Sequence, residues 1–316
     1  MSPPQPPHPP PPRGSESRPE AVRRPPAGRL APPVRSADAD RPSPPPEGFY
    51  DGLAAVYHLI YPDWPLARRH QGEVFAALLE GEGIAPGAEI LDCAAGIGTQ
   101  ALGLAAAGYR VTATDISPAA LQRLAAEARL LHLPLQARAS DIRALGAMIR
   151  NPRDAVLAID NAIPHLLSEH QIIVALRALA AVLRPGGLLL LSMRDFDRCL
   201  DEGERPFGEG PFIHEGPPRR ILYQVWDWQD ERLYDAHLYI TWRDEQANGD
   251  QAGGDRADGP RDGPGSWKVH HGVTRYRALR RAELARMARS AGFSQCSWMM
   301  PEESGFFQPV MIARRQ

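Results

Sequence analysis

The chain has 316 residues, with 36 lysines and arginines against 38 acids and a formal net charge of −2. Near-neutrality argues against the broad basic face of a nucleic-acid-binding protein, and no apolar stretch approaches the roughly 20 residues of a membrane span. Cys93, Cys199 and Cys296 have neither metal nor redox spacing, and no charged-then-apolar leader is visible, so a cytoplasmic protein is expected.

Composition divides the chain. Residues 1–47 hold 17 of the 33 prolines and almost no large apolar side chain, so they are expected to form a disordered, partly polyproline-like tail. Residues 48–316 suit one α/β domain with insertions. Tyr50, Val56, Tyr57, Leu59, Ile60 and Tyr61 mark a short helix-like segment that ends at Pro62 to Pro65, and a helix follows at about 66–80. Alternation then begins: strand 89–93, helix 99–107, strand 110–115, helix 118–131, strands 135–139 and 154–159, helix 169–183, strand 187–193. Such alternation predicts a doubly wound, Rossmann-like parallel sheet with helices on both faces.

Beyond Arg194 the pattern changes. Residues 203–218 are rich in glycine and proline and read as a loop. Three aromatic-rich runs, Ile221 to Trp228, Leu233 to Trp242 and Trp267 to Tyr276, read as an added three-stranded antiparallel lid, so that the insertion spans about 203–276. Residues 244–266, with many glycines and aspartates, read as a flexible hairpin tip; the acids lack the spacing and closing glutamate of a calcium loop. A helix at 280–290 and strands near 294–298 and 306–313 complete the sheet.

The most informative stretch runs from Glu89 to Ala101. The apolar Ile90 and Leu91 lead into Gly96 and Gly98, which open a helix near Thr99 and let backbone approach a ligand with no Cβ in the way. The next strand ends in Asp115, a carboxylate suited to a ribose diol. Gly96, Gly98 and Ala101 alone also satisfy the dinucleotide fingerprint, a weak signal by itself. Three features tip the reading. Asp92 stands before the turn, Asp141 after the third strand suits an adenine amino group, and Leu183-Arg-Pro-Gly-Gly stops a helix ahead of the fifth strand.

This order of motifs resembles the class I S-adenosylmethionine-dependent methyltransferases from about Phe49 to the C-terminus. Within them it is most similar to the glycine N-methyltransferase type, through Asp160-Asn-Ala-Ile-Pro-His-Leu, Met193-Arg-Asp-Phe-Asp, Thr274-Arg-Tyr and Phe306-Phe-Gln-Pro-Val. The resemblance implies S-adenosylmethionine as cofactor, no metal, and methylation of a small molecule, most specifically the nitrogen of a carboxylate-bearing amine. It implies that backbone around Ala94 and Gly96, with Gly98 in the turn, holds the methionine part. Asp115 would hold the ribose, Ile116 would flank the adenine, and Asp141 and Ile142 would hold its edge. Asp160 and His165 fall where cofactor contacts are expected, His165 being equally readable as a capping or core residue. Tyr57, Tyr61 and Trp64 would close over the site or serve as packing aromatics. Arg194 is the implied carboxylate anchor, completed by Asn161, Tyr57 and Tyr276; the alternative is an ion pair with Asp195, Asp197 or another acid. The resemblance implies an arginine just before Gln71, where this chain has His70, so the partner of the cofactor carboxylate stays open.

Three other readings differ in class. A methyltransferase for RNA or protein would present a basic surface, and a base-modifying one an Asn/Asp-Pro-Pro-aromatic motif in place of Asp160-Asn-Ala-Ile-Pro. A nicotinamide oxidoreductase shares the glycine turn but does not explain Asp141 or the Arg184-Pro-Gly-Gly turn. A non-catalytic module would bind cofactor without turnover. Oligomeric state is not legible.

Overall fold

Residues 45–244 and 266–316 are described by the structure, a computed structural model. The proline-rich tail as far as residue 44, and the hairpin tip over 245–265, lie outside them. Helix α1 (Pro46–Leu53) begins two residues inside the segment that composition assigns to the tail, because Pro46 suits the first turn, where no backbone N–H is needed. A 3-10 turn at Tyr57–Ile60 leads to α2 (Trp64–Gly81), which Asp63 caps by accepting the Leu66 N–H at 2.8 Å.

The alternation follows as expected: β1 (Glu89–Cys93), α3 (Thr99–Ala106), β2 (Arg110–Asp115), α4 (Pro118–Leu130), β3 (Leu135–Ala139), a short α5 (Leu145–Met148), β4 (Arg153–Ala158), α6 (Glu169–Val182) and β5 (Leu183–Ser192). Ser117 and Ser168 cap α4 and α6 through their hydroxyls. The expected start of the fifth strand at 187 is late, since the Arg184-Pro-Gly-Gly segment already belongs to β5, with a register irregularity where it pairs β4. After α7 (Asp197–Asp201) come β6 (Gly208–His214), β7 (Arg220–Trp228), β8 (Leu233–Arg243) and β9 (Trp267–Arg277), and the chain closes with α8 (Arg281–Ser290), β10 (Phe293–Met299), α9 (Pro301–Ser304) and β11 (Val310–Arg315).

Two sheets result. The larger has the order β10-β11-β5-β4-β1-β2-β3, with β11 antiparallel to both neighbours and the pairs among β1 to β5 all parallel. The ends of β1, β4 and β5 are buried on both faces, which is why β4 and β5 carry the apolar runs Ala155 to Ala158 and Leu188 to Leu191, while β1 holds one buried acid, Asp92, among Ile90, Leu91 and Cys93. The second sheet has four strands, β6-β7-β8-β9, and not three. The missed strand is β6. It lies at the sheet edge, where Gly210 and Pro211 are tolerated beside a register shift between Glu209 and Phe212. Gly208 sits so close to β7 that a Cβ would fall 2.1 Å from the Gln224 carbonyl oxygen, so the glycine that suggests a loop is what permits the pairing.

The N-terminal segment is clamped between the two sheets. Asp51 of α1 accepts hydrogen bonds from the Ser117 hydroxyl (2.5 Å) and the Ala119 N–H (3.0 Å) at the start of α4. From the other side Arg220, only 3% exposed, donates to the carbonyls of Leu59, Tyr61 and Pro62 at 2.6 to 2.9 Å, and to that of Pro218. Leu53 and Leu59 share an apolar cluster with Leu238 and Ile240 of β8. These contacts carry Tyr50, Tyr57 and Tyr61 across the carboxyl edge of the larger sheet, where ligands of such sheets bind.

Candidate active site

A cavity of about 300 Å³ opens at the carboxyl ends of β1, β2 and β4. Its floor is the β1–α3 turn. Ala94, Gly96 and Gly98 all have positive φ there (74°, 53° and 95°), and the space off the Gly96 Cα is open. Asp115 grips that turn, its Oδ2 accepting the Gly96 N–H and its Oδ1 the Ser117 N–H, both at 2.8 Å. Burial raises the Asp115 pKa, and the backbone donors partly offset this. Each oxygen keeps a lone pair for a ligand hydroxyl. Across the cavity stand Ile116, Ile142 and Asp141. Arg143 binds the Asp141 carboxylate through Nε and Nη2 and holds its pKa below the ordinary value.

A second cavity, about 580 Å³, lies between this edge and the antiparallel sheet. The two share Tyr50, Tyr57, Tyr61, Asp160 and Thr274 as walls. At the junction the backbone is strained: Asp160 and Asn161, after β4, both take positive φ (59° and 67°). A network holds them there. The Asp160 N–H donates to Ser192 Oγ (2.7 Å), Ser192 Oγ donates to Gln308 Oε1 (3.0 Å), and Gln308 Nε2 donates to Asp160 Oδ1 (3.3 Å). Asn161 accepts the Arg194 N–H at 2.7 Å and donates to Asp160 at 3.2 Å. Burial pushes the Asp160 pKa up, while Arg194 opposes the rise.

Arg194 is the one cation on the walls of the second cavity among the described residues. Its guanidinium lies over Trp226, 4.6 Å from the ring centre, and donates to Tyr234 (3.0 Å) and to Glu209 of β6 from Nε (2.9 Å). Burial opposes its charge, but Tyr234 and Glu209 more than offset that and raise its pKa. Tyr276 and Tyr50 close the wall, their hydroxyls 3.4 Å apart, and Tyr50 bonds to His165 Nε2 at 2.8 Å. Burial lowers the His165 pKa to about 4, so the ring is a neutral hydrogen-bonding partner at physiological pH.

Of the residues expected at the site, Ala94, Gly96, Asp115, Ile116, Asp141, Ile142 and His165 line the first cavity, Asn161, Arg194 and Tyr276 the second, and Tyr57, Tyr61 and Asp160 both. Trp64 and Gly98 line neither. The Trp64 indole is buried beside Ile97, Leu102 and Ala120 and donates weakly to Thr99. Gly98 caps α3 in the left-handed region with Leu124 and Leu102 against its Cα, so conformation and packing demand the glycine. His70 is exposed. Its neighbour Gln71 points inward instead, accepting from Gln100 at 2.7 Å; α2 and α3 touch so closely at Gly72 and Gly103 that a Cβ on either would lie 2.6 Å from the other's backbone. Gln100 and Thr99 also line the first cavity, next to the glycine turn, and could meet a cofactor carboxylate. Sequence reasoning missed Tyr50, Glu209 and Gln308. Only Gln308 carried a signal, inside Phe306-Phe-Gln-Pro-Val.

The first cavity offers groups that could hold S-adenosylmethionine: an open glycine turn, a buried carboxylate with spare lone pairs, and the apolar Ile116 and Ile142 on its wall.

Residues 90–187 match a family model described as a methyltransferase domain. The glycine/sarcosine N-methyltransferase of Parasynechococcus marenigrum is 33% identical over 141 residues, covering 45% of this chain and 49% of that protein. The glycine N-methyltransferase of Rattus norvegicus is 29% identical over 204 residues, covering 57% of this chain and 64% of the relative. The chain therefore spans about half to two thirds of the length of these relatives. Among solved structures, the CcbJ methyltransferase from Streptomyces caelestis aligns with TM-score 0.62 at 19% identity, over 84% of this chain and 98% of that one. The fold is likewise shared with CalS10, an amino pentose methyltransferase from Micromonospora echinaspora, at TM-score 0.61 and 19% identity, over 83% and 95% of the two chains.

Fold, glycine turn and domain match together define a class I S-adenosylmethionine-dependent methyltransferase. Within that class the chain is similar to glycine/sarcosine N-methyltransferases, at 33% identity over 141 residues to the one from Parasynechococcus marenigrum.

Proposed function

We propose that this protein transfers the methyl group of S-adenosylmethionine to the nitrogen of a small amine, and that the amine carries a carboxylate held by Arg194. The observation that carries the reading is the meeting of two cavities at Tyr57, Tyr61 and Asp160, one fitted to the cofactor and the other holding a fixed guanidinium. When bound, S-adenosylmethionine supplies an electrophilic methyl group on a sulfonium. The chain's own work is to align the nucleophile and exclude water, and such alignment can supply on the order of 7–11 kcal/mol. Tyr50, Tyr57 and Tyr276 are half-buried, and desolvation of their hydroxyls raises their pKa values, so they stay protonated as hydrogen-bonding walls. Arg194 presents planar donors that match a carboxylate and would set the direction of the attached amine. The likeness to glycine/sarcosine N-methyltransferases supports a small amino acid over a macromolecule.

The test is incubation with S-adenosylmethionine and a panel of amines and amino acids, followed by mass spectrometry. Methylated product should form with carboxylate-bearing amines, at higher kcat/KM than with matched amines lacking the carboxylate. If S-adenosylhomocysteine binds yet no amine is methylated, the protein is a cofactor-binding module and the proposal fails.

A further inference from the structure

We infer that Glu209 is a specificity-determining residue that occupies the substrate-carboxylate position of Arg194 and must be displaced when substrate binds. The inference rests on the anchor role of Arg194 argued above.

The two partners of the ion pair are held very differently. Arg194 is fixed at three places besides Glu209: its backbone N–H to Asn161, its Nη1 to Tyr234, and its face on Trp226. Its side chain is 19% exposed. Glu209 is 48% exposed, sits on the edge strand β6 beside the register shift, and its carboxylate has no hydrogen-bond partner but Arg194 among the described residues. Rotating Glu209 into water therefore breaks contacts with one group only.

The way Glu209 binds also leaves room for something better. A single oxygen, Oε1, lies 2.9 Å from Nε and 2.7 Å from Nη2, so one acceptor serves the whole fork edge. A carboxylate arriving end-on can give each N–H its own oxygen in two parallel bonds, the stronger arrangement. Charge sharpens the competition. Asp160, Asp195 and Glu209 also line this cavity, against Arg194 alone. With Glu209 in place the arginine is neutralised, and an incoming anion meets like charge until the glutamate leaves. Glu209 so sets how strongly the pocket prefers an acid over a neutral or cationic amine of the same size.

The experiment is Glu209→Gln in the full-length protein, with steady-state kinetics on a carboxylate-bearing amine and on a carboxylate-free amine of matched size. A second measurement, independent of turnover, is equilibrium binding of propionate to both proteins in the presence of S-adenosylhomocysteine. Removing a half-exposed competing charge should lower KM for the acid, and Kd for propionate, by roughly five- to tenfold. Selectivity for the acid over the matched amine should rise by a similar factor, with S-adenosylhomocysteine affinity unchanged. A KM that rises for both amines would mean that Glu209 contacts the substrate nitrogen, and no change in KM or propionate affinity would make it a solvated surface pair; either overturns the inference. Tighter propionate binding without methylation of any amine by either protein would uphold the exchange while sinking the proposed reaction.

Discussion

The two cavities are built in opposite ways. Around the cofactor cavity the deciding groups come from short consecutive segments: the turn from Ala94 to Gly98, then Asp115 with Ile116, then Asp141 with Ile142, each ending a strand of the parallel sheet. Around the second cavity, the proposed substrate pocket, neighbours in space are far apart in sequence: Arg194 meets Glu209 and Tyr234, Tyr50 meets His165 and Tyr276, and Asp160 meets Gln308. The first half is a property of strand ends and changes little with what packs around it. The second exists only if the antiparallel sheet, the N-terminal segment and the larger sheet are all in register.

Substitutions can break this contrast at either end. The largest effect is expected for Arg194→Lys. A point charge on a flexible stem cannot reproduce the fork, so kcat/KM on a carboxylate-bearing amine should fall by about 100-fold or more while cofactor affinity stays within about twofold. Equal losses of turnover and of cofactor binding in calorimetry would show the two halves to be one unit. Next is Arg220→Leu, which removes the donors that tie Leu59, Tyr61 and Pro62 to β7. Leaving those carbonyls without a charged donor should cost about 2–4 kcal/mol in chemical denaturation. Substrate KM should suffer more than cofactor Kd, and an unshifted melt would mean that apolar packing alone holds the segment.

Asp115→Ala attacks the other half. It deletes the acceptor for Gly96 N–H and the proposed acceptor for the ribose, so cofactor binding measured by calorimetry should weaken by about 1.5–3 kcal/mol. Wild-type affinity would remove Asp115 from the ribose site.

A subtler probe is Asp92. It is buried, neither carboxylate oxygen has a partner at ordinary hydrogen-bond distance among the described residues, and burial with the nearby Asp115 raises its pKa to about 7 from 3.8. A folded value above the unfolded one means stability is fully present below about pH 4 and is lost as pH rises through 7, at up to about 1.4 kcal/mol per unit in between. Relative to wild type, Asp92→Asn should flatten that slope and be the more stable protein at pH 8 in urea titrations; parallel curves would show that the acid is solvated. The smallest effect is expected from deleting residues 1–44. Their composition supports no core, so melting temperature and cofactor affinity should stay unchanged. Extending the deletion through α1 should lower both, because Asp51 and Tyr50 go with it.

How much was legible follows the same division. The alternating elements, Asp115 and the open turn at Gly96 could be read because strand period, glycine freedom and a terminal carboxylate are local properties. Trp64 could not be separated from Tyr57 and Tyr61 by sequence: all three are aromatics in one short segment, and only the packing of α2 on α3 turns Trp64 into the core. Strand β6 read as a loop because Gly208, Gly210 and Pro211 disfavour a strand taken alone, yet an edge position beside β7 accepts them.

By itself, then, the sequence determined the doubly wound sheet, the cofactor turn and the presence of an arginine at the end of β5. Tertiary structure decided what that arginine meets. Glu209 reaches it across a 15-residue separation through a strand that local propensity argues against. Tyr234 and Trp226 reach it from β8 and β7. Long-range pairing of this kind is selected by burial and charge summed over the whole packed molecule, and no short window of residues carries that sum.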